Sequence, residues 1–69
     1  MNRTPVSSSN VASVGYEPET LVLEVEFLHG GVYQYSGVPQ EEYEALISAS
    51  SVGGYLGANI KNRYPCSRV

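Results

Sequence analysis

Hydrophobic and polar residues alternate most regularly over residues 20–27. One face of a strand with this pattern carries only apolar side chains, namely Leu21, Leu23, Val25 and Phe27. The other face carries Val22, Glu24 and Glu26. Because side chains alternate between the two faces of a strand, the pattern predicts a β-strand with one buried face and one wet face.

A hairpin turn is predicted directly after this strand. His29-Gly30-Gly31 contains two residues that accept a positive φ, and Val32–Ser36 then supplies β-branched and aromatic residues for a second strand. A further short strand is predicted earlier, at Val11–Val14, before a segment rich in turn residues. Together these elements predict a three-stranded antiparallel meander over residues 11–36.

The length of the hairpin loop decides which face carries Tyr33 and Tyr35, because a register shift of one residue reverses every side chain. A three-residue loop with Gly31 in the left-handed conformation pairs the two tyrosines with Phe27 and Val25, which places both rings in the core. A two-residue glycine loop instead places both rings on the acidic face, as platforms for base stacking. We favour the first loop, since it gathers most of the large side chains on one face.

Helical spacing begins after the hairpin. Pro39 suits the first position of a helix, and the apolar residues Tyr43, Leu46 and Ile47 follow at i, i+3 and i+4. Two glutamates in the first turn complement the positive end of the helix dipole. The pattern predicts a helix from Pro39 to Ala49 that packs through this apolar stripe.

A second helix is predicted from Val52 to Ile60, with Ser51 as its N-cap. Its three glycines oppose helix formation, so we expect the helix to form only when docked. The predicted fold class is α+β, with the order β-β-β-α-α and both helices on the apolar face of the sheet.

Residues 1–9 are polar and rich in serine, which predicts a flexible tail before a single domain over residues 10–69.

Composition and cysteine usage narrow the class of protein. The chain has 69 residues, of which 42% are hydrophobic, so it forms one small globular domain at most. Cys66 is the only cysteine, which excludes an internal disulfide. No apolar run approaches the length of a membrane span or a secretory signal. We therefore expect a cytoplasmic protein that does not bind membranes.

Charge is unevenly distributed along the chain. The net charge is −3, which argues against a nonspecific nucleic-acid binder held by phosphate neutralisation. All seven carboxylates precede Ala45, however, whereas three of the four bases, Lys61, Arg63 and Arg68, follow it. The C-terminal third is therefore locally basic.

Few residues could carry catalysis. His29 is the only histidine, and its place at a hairpin tip predicts an exposed turn residue. Ser51 and the glycines after Val52 could leave backbone N–H groups free for an anion, but the segment lacks the lysine of a phosphate-binding loop. We predict no enzyme activity, catalytic residue, metal site or cofactor.

The order of motifs resembles one small-domain family. The motifs are Val14-Gly15-Tyr16, Gly30-Gly31-Val32-Tyr33-Gln34-Tyr35, Val38-Pro39, and the series Ser51, Gly53, Tyr55. From about Ser8 to Tyr64 they resemble the KTSC domain, named for the C-terminus of some lysyl-tRNA synthetases, and the chain looks like a stand-alone copy. The resemblance implies a domain without established activity that binds RNA weakly as an accessory module.

The resemblance and the basic residues together give a candidate RNA site. Lys61, Arg63 and Arg68 would contact phosphates, Tyr55 or Tyr64 would stack on bases, and Ser51 would lie nearby. The family commonly has a basic residue where this chain has Val52 and an asparagine where it has Gly57, and both departures weaken the RNA prediction.

The alternative is a protein-interaction or homo-oligomerisation module that uses a sheet edge or the glycine-lined second helix. The predicted partners are accordingly RNA or a translation-related protein, with a weak homodimer as a further candidate.

Overall fold

The computed structural model describes residues 2–69. An antiparallel sheet of five strands forms the centre of the fold, and each strand lies beside its neighbour in the sequence. The strands are β1 (Thr4–Pro5), β2 (Val11–Glu17), β3 (Val22–Phe27), β4 (Val32–Tyr35) and β5 (Cys66–Arg68). The α+β class is confirmed, but the predicted number of three strands is wrong.

The two additional strands come from the ends of the chain. Residues 1–9 were expected to be a flexible tail, yet Thr4 and Pro5 pair with Val14 and Ser13 at one edge of the sheet. Met1 lies outside the described residues. β5 pairs with β4 at the opposite edge. Both edge strands are held by backbone pairing and have exposed side chains, so no hydrophobic alternation marked them in the sequence.

The two predicted helices are present. Helix α1 spans Gln40–Ser48 and follows Pro39, whose φ of −65° suits the start of a helix. Helix α2 spans Val52–Tyr55 and continues directly into a π-helical turn, Leu56–Ile60. Within the described part of the chain, neither segment has the length and apolar character that a bilayer crossing requires.

The hairpin between β3 and β4 has the predicted loop length but a different register. The loop consists of Leu28, His29 and Gly30, because the Phe27 N–H donates to the Gly31 carbonyl at 2.8 Å. Gly30, rather than Gly31, takes the positive φ, at 111°.

The pairing of the two strands is shifted accordingly. Tyr33 lies opposite Val25 and Tyr35 opposite Leu23, so the predicted cross-strand partners are wrong by two residues. A shift of two residues preserves the face, and both rings lie on the predicted apolar side.

The core lies between this side of the sheet and the helical segments. Its helical members are Leu46, Val52, Leu56 and Ile60, which pack with buried strand residues including Val14, Leu23 and Val25. The predicted stripe of α1 is only partly correct. Tyr43 is half-buried and stacks on Tyr16 with ring centroids 4.9 Å apart, whereas Ile47 is 44% exposed.

The opposite face of the sheet is less wet than predicted. Glu24 is only 8% exposed, because Arg3 from the N-terminal segment forms a salt bridge over it. The Gln34 amide donates to Glu24 Oε1 at 2.9 Å, and the Ser13 hydroxyl donates to Glu26 Oε1 at the same distance. The hydrogen bond from Gln34 and the charge of Arg3 lower the pKa of Glu24.

Candidate functional site

An open cleft lies on the helical side of the sheet, where the helices leave the hairpin end uncovered. Its volume is about 580 Å³. The sheet contributes three aromatic side chains, Phe27, Tyr33 and Tyr35, to its lining. Polar side chains complete the lining, namely Asn10 from the segment before β2, His29 from the hairpin loop, Lys61 and Asn62 from the segment after the π-helical turn, and Cys66 from β5.

Strand β5 extends the floor of the cleft beyond β4. Tyr35 lies directly opposite Cys66, and Tyr33 lies opposite Arg68. Because residues directly opposite one another in a sheet project to the same face, Cys66 and Arg68 are on the cleft side. The C-terminal strand therefore brings a thiol and a guanidinium group to the two tyrosines.

Phe27 lies at the centre of an aromatic cluster in the cleft. The imidazole of His29 stacks on the Phe27 ring, with centroids 5.4 Å apart and an angle of 4° between the planes. Tyr33 meets the same ring edge-on, with centroids 5.6 Å apart and an angle of 78°. Both are favourable aromatic geometries, and Phe27 is left only 8% exposed.

Two cations lie over this aromatic cluster. Lys61 Nζ is 5.7 Å from the centroid of Phe27, and the Arg68 guanidinium carbon is 6.0 Å from that of Tyr33. These distances are within or at the limit of cation–π contact, so each ring positions a positive charge beside the cleft. No carboxylate side chain is among the lining residues, and Glu24 and Glu26 lie on the other face of the sheet. The cleft is therefore a positively charged region of an acidic protein.

Tyr35 is buried beneath the cleft and is only 2% exposed. Burial raises the pKa of Tyr35, and the neighbouring Cys66 and Tyr33 raise it further. The phenol is therefore neutral at physiological pH. A neutral phenol in the lining can donate or accept a hydrogen bond.

The predicted RNA-site residues do not form one cluster. Lys61 lines the cleft and Arg68 lies beside it, whereas Tyr55 and Tyr64 are elsewhere. The hydroxyl groups of these two tyrosines donate to the two carboxylate oxygens of Glu42, at 2.6 Å from Tyr55 and 3.4 Å from Tyr64. The hydrogen bond to Glu42 raises the pKa of Tyr55. These hydrogen bonds attach α2, through Tyr55, and the segment after the π-helical turn, through Tyr64, to α1.

Arg63 and Ser51 also lie apart from the lining residues. The guanidinium of Arg63 is 5.8 Å from the ring centroid of Tyr64. The Ser51 side chain caps α2 by accepting a hydrogen bond from the Gly54 N–H at 3.1 Å, as predicted for an N-cap. The serine hydroxyl therefore already has a partner within the protein.

Several residues of the cleft were not anticipated from the sequence. Phe27 was expected to be an ordinary core residue and His29 an exposed turn residue, while Asn10 and Asn62 gave no signal. Tyr33, expected to be core, is half-buried and forms part of the cleft wall. The close spacing of Phe27 and His29 around a glycine turn was the one available indication, because a hairpin loop can fold the second ring onto the first.

Comparison with known proteins identifies the family. The model of the KTSC domain matches residues 7–64. An uncharacterized protein of Stutzerimonas stutzeri (strain A1501) is 41% identical over 64 residues, which cover 93% of this chain and 90% of the relative. A protein of Tsukamurella paurometabola is 35% identical over 60 residues, covering 87% and 90% of the two chains.

A solved structure agrees closely with this fold. The crystal structure of a KTSC domain protein from Yersinia pestis superposes with a TM-score of 0.96 at 40% identity, and the match covers 99% of this chain and 96% of that one. The association with lysyl-tRNA synthetases is wrong, since the matches are to the KTSC domain itself and to proteins of nearly this length. The resemblance to the domain is confirmed, and the chain belongs to the KTSC domain family.

Proposed function

We propose that this protein is a non-enzymatic accessory module that binds RNA weakly in the cleft. The observation that carries the proposal is the composition of the lining, in which aromatic rings meet Lys61 without a carboxylate side chain, in a chain of net charge −3. Arg68 adds a second cation beside the lining, over Tyr33. Aromatic rings stack on unpaired bases, and cations neutralise the adjacent phosphates. An acidic protein gains little from placing its positive charge around these rings unless an anion binds there.

The number of cations sets the expected affinity. Lys61 and Arg68 lie at the cleft, and Arg63 is the only other base in the C-terminal third. Two or three phosphate contacts give a modest electrostatic contribution, so we expect micromolar or weaker binding that falls about tenfold between 50 and 200 mM salt. An affinity of this size is useful when a tethered partner raises the local concentration of RNA.

A titration of fluorescent RNA into the wild type and charge variants tests the proposal. Lys61→Gln and Arg68→Gln remove cations at the cleft, and Arg63→Gln is the matched control because it removes the same charge beside Tyr64. We expect each of the first two variants to weaken binding several-fold and the control to change it little. Equal losses in all three would show that net charge, and not the cleft, governs the interaction.

The absence of catalysis and a cytoplasmic location are part of the same proposal. A cytoplasmic location suits Cys66, which is a free and exposed thiol.

Incubation with RNA tests the absence of catalysis. RNA recovered intact and of full length after prolonged incubation with the protein would support binding without turnover. Progressive cleavage that disappears in a His29→Ala variant would contradict it.

One observation favours the alternative of a protein-interaction module. All three residues of the edge strand β5 are exposed, so their strand is available for pairing with another chain. The glycine-lined helix is less available, since a Cβ atom at Gly53 would lie 3.2 Å from the Ser8 hydroxyl. Sedimentation across a concentration series, in the presence and absence of salt, separates the alternatives because edge pairing should resist salt and phosphate binding should not.

A further inference from the structure

The stacked pair of Phe27 and His29 has one covered member and one exposed member. Phe27 is 8% exposed, since His29, Tyr33 and Lys61 all approach its ring. His29 is exposed and also lines the cleft. A ligand ring can therefore reach the imidazole without displacing any side chain from Phe27.

The backbone and the stack together fix the orientation of the imidazole. His29 lies in a three-residue loop closed by hydrogen bonds from Phe27 to Gly31 and from Gly30 to Phe27. Because one face of the imidazole lies on Phe27 at an angle of 4°, the other face is directed away from it. The imidazole of His29 is therefore a stacking platform. Because the loop and Phe27 already hold it in place, it loses little conformational entropy when a base stacks on it.

Polar groups around the platform fit the other parts of a nucleotide. Lys61 and Arg68 supply positive charge beside the rings. Asn10 and Asn62 each carry an amide that can both donate and accept hydrogen bonds, as the edge of a base requires. The hydroxyl of Tyr35 is a further neutral donor in the lining.

Resting on the proposed function, we infer that the ligand of the cleft is one unpaired nucleotide of an RNA strand. Its base extends the stack of Phe27 and His29, and its phosphate faces Lys61 and Arg68. The cleft volume of about 580 Å³ is within the usual range for small-molecule sites and suits one nucleotide. A base inside a duplex keeps both faces stacked on its neighbours, so it cannot meet the imidazole.

The test compares three probes with isotope-labelled full-length protein by NMR titration. The probes are a short single-stranded oligoadenylate, the same strand annealed to its complement, and adenosine 5′-monophosphate. We expect the single strand to bind at least about tenfold more tightly than the duplex. The mononucleotide should bind more weakly than the strand while shifting the amide signals of His29 and Lys61.

Two substitutions at His29 test whether the ligand stacks on an aromatic ring at this position. His29→Ala removes the platform and should weaken single-strand binding at least about fivefold, which corresponds to the loss of one stacked base. His29→Phe keeps an aromatic ring and should retain most of the affinity. Because His29 is exposed, we expect both variants to fold, and circular dichroism checks this.

The outcomes distinguish this inference from the proposed function. Equal binding of duplex and single strand, still dependent on Lys61, would overturn the unpaired-nucleotide inference and leave RNA binding intact. Mononucleotide binding as tight as that of the strand would make the cleft a site for free nucleotides and overturn the inference. An absence of binding by all three probes at low salt would overturn both.

Discussion

Tyr35 lies directly opposite Leu23 in the pairing of β3 with β4, and both side chains are buried. The next pair on the same face, Tyr33 opposite Val25, joins a buried valine to a tyrosine that is only half-buried. Two tyrosines separated by one residue therefore differ in role. Tyr35 belongs to the core, and Tyr33 belongs to the wall of the cleft.

The first prediction follows from this difference in burial. Tyr35→Ala should lower the free energy of unfolding by about 3 kcal/mol or more, as truncation of other large core aromatics does. Tyr33→Ala should cost clearly less, because its ring already contacts solvent in the cleft. Urea unfolding of both variants measures the difference, with Ile47→Ala as a control at an exposed apolar site. Unchanged stability of Tyr35→Ala would contradict its assignment to the core.

The second prediction concerns Glu24 and acid. Its folded-state pKa lies below the ordinary value of 4.5, chiefly because the Gln34 amide and Arg3 bind the ionised form. A lowered folded-state pKa means that the stabilisation is present above the unfolded-state value and disappears as the pH falls through the folded-state value. Unfolding measured from pH 6 downward should therefore show a loss of stability that starts near pH 4.5.

Two glutamate-to-glutamine variants test whether Glu24 controls the response to acid. Glu24→Gln should flatten the acid limb of the stability curve, because the charge that is lost on protonation is already absent. Glu19→Gln, at an exposed turn position, should leave the acid limb unchanged. An acid limb that survives Glu24→Gln would show that another group controls the acid response.

The third prediction compares two glycines of the second helical segment. A Cβ atom at Gly57 would meet nothing within 4 Å, so Gly57→Ala should stabilise the protein by about 0.5 to 1 kcal/mol through helix propensity. A Cβ atom at Gly53 would lie 3.2 Å from Ser8 Oγ and 3.4 Å from Asn10 Nδ2. Gly53→Ala should therefore gain less or destabilise. Thermal unfolding of the two variants in parallel checks the order, and a larger gain at Gly53 would contradict the close packing of Gly53 against Ser8 and Asn10.

The fourth prediction concerns the cap of α2. Ser51→Ala removes the acceptor for the Gly54 N–H and should cost about 1 kcal/mol. Ser50→Ala, at an exposed neighbouring position, should cost almost nothing. If both serines tolerate alanine equally in urea unfolding, the cap contributes nothing measurable.

Much of the fold was predictable from local patterns. Alternation over residues 20–27 predicted β3, and the spacing of Tyr43 and Leu46 after Pro39 predicted α1. The face of Tyr33 and Tyr35 was also predictable, because an error of two residues in register leaves every side chain on the same side. The edge strands were not predictable, since their two or three residues pair through the backbone.

The site was less predictable than the fold because it depends on contacts across the chain. The pairing of β5 with β4 brings Arg68 to Tyr33, which is far away in sequence. The stack of His29 on Phe27 depends on whether Gly30 or Gly31 takes the positive φ, and the sequence does not distinguish the two glycines. Tyr55 and Tyr64 were expected to stack on bases, but their positions depend on hydrogen bonds to Glu42.

The most direct test of the central proposal is an amide chemical-shift map recorded while single-stranded RNA is titrated into the wild-type protein at low salt. We expect the largest shifts on cleft residues, including Asn10, His29, Tyr33 and Lys61. These shifts should diminish together when salt is added, because phosphate contacts weaken with ionic strength. Shifts centred instead on Tyr55 and Tyr64, or no shifts at all, would contradict RNA binding in the cleft.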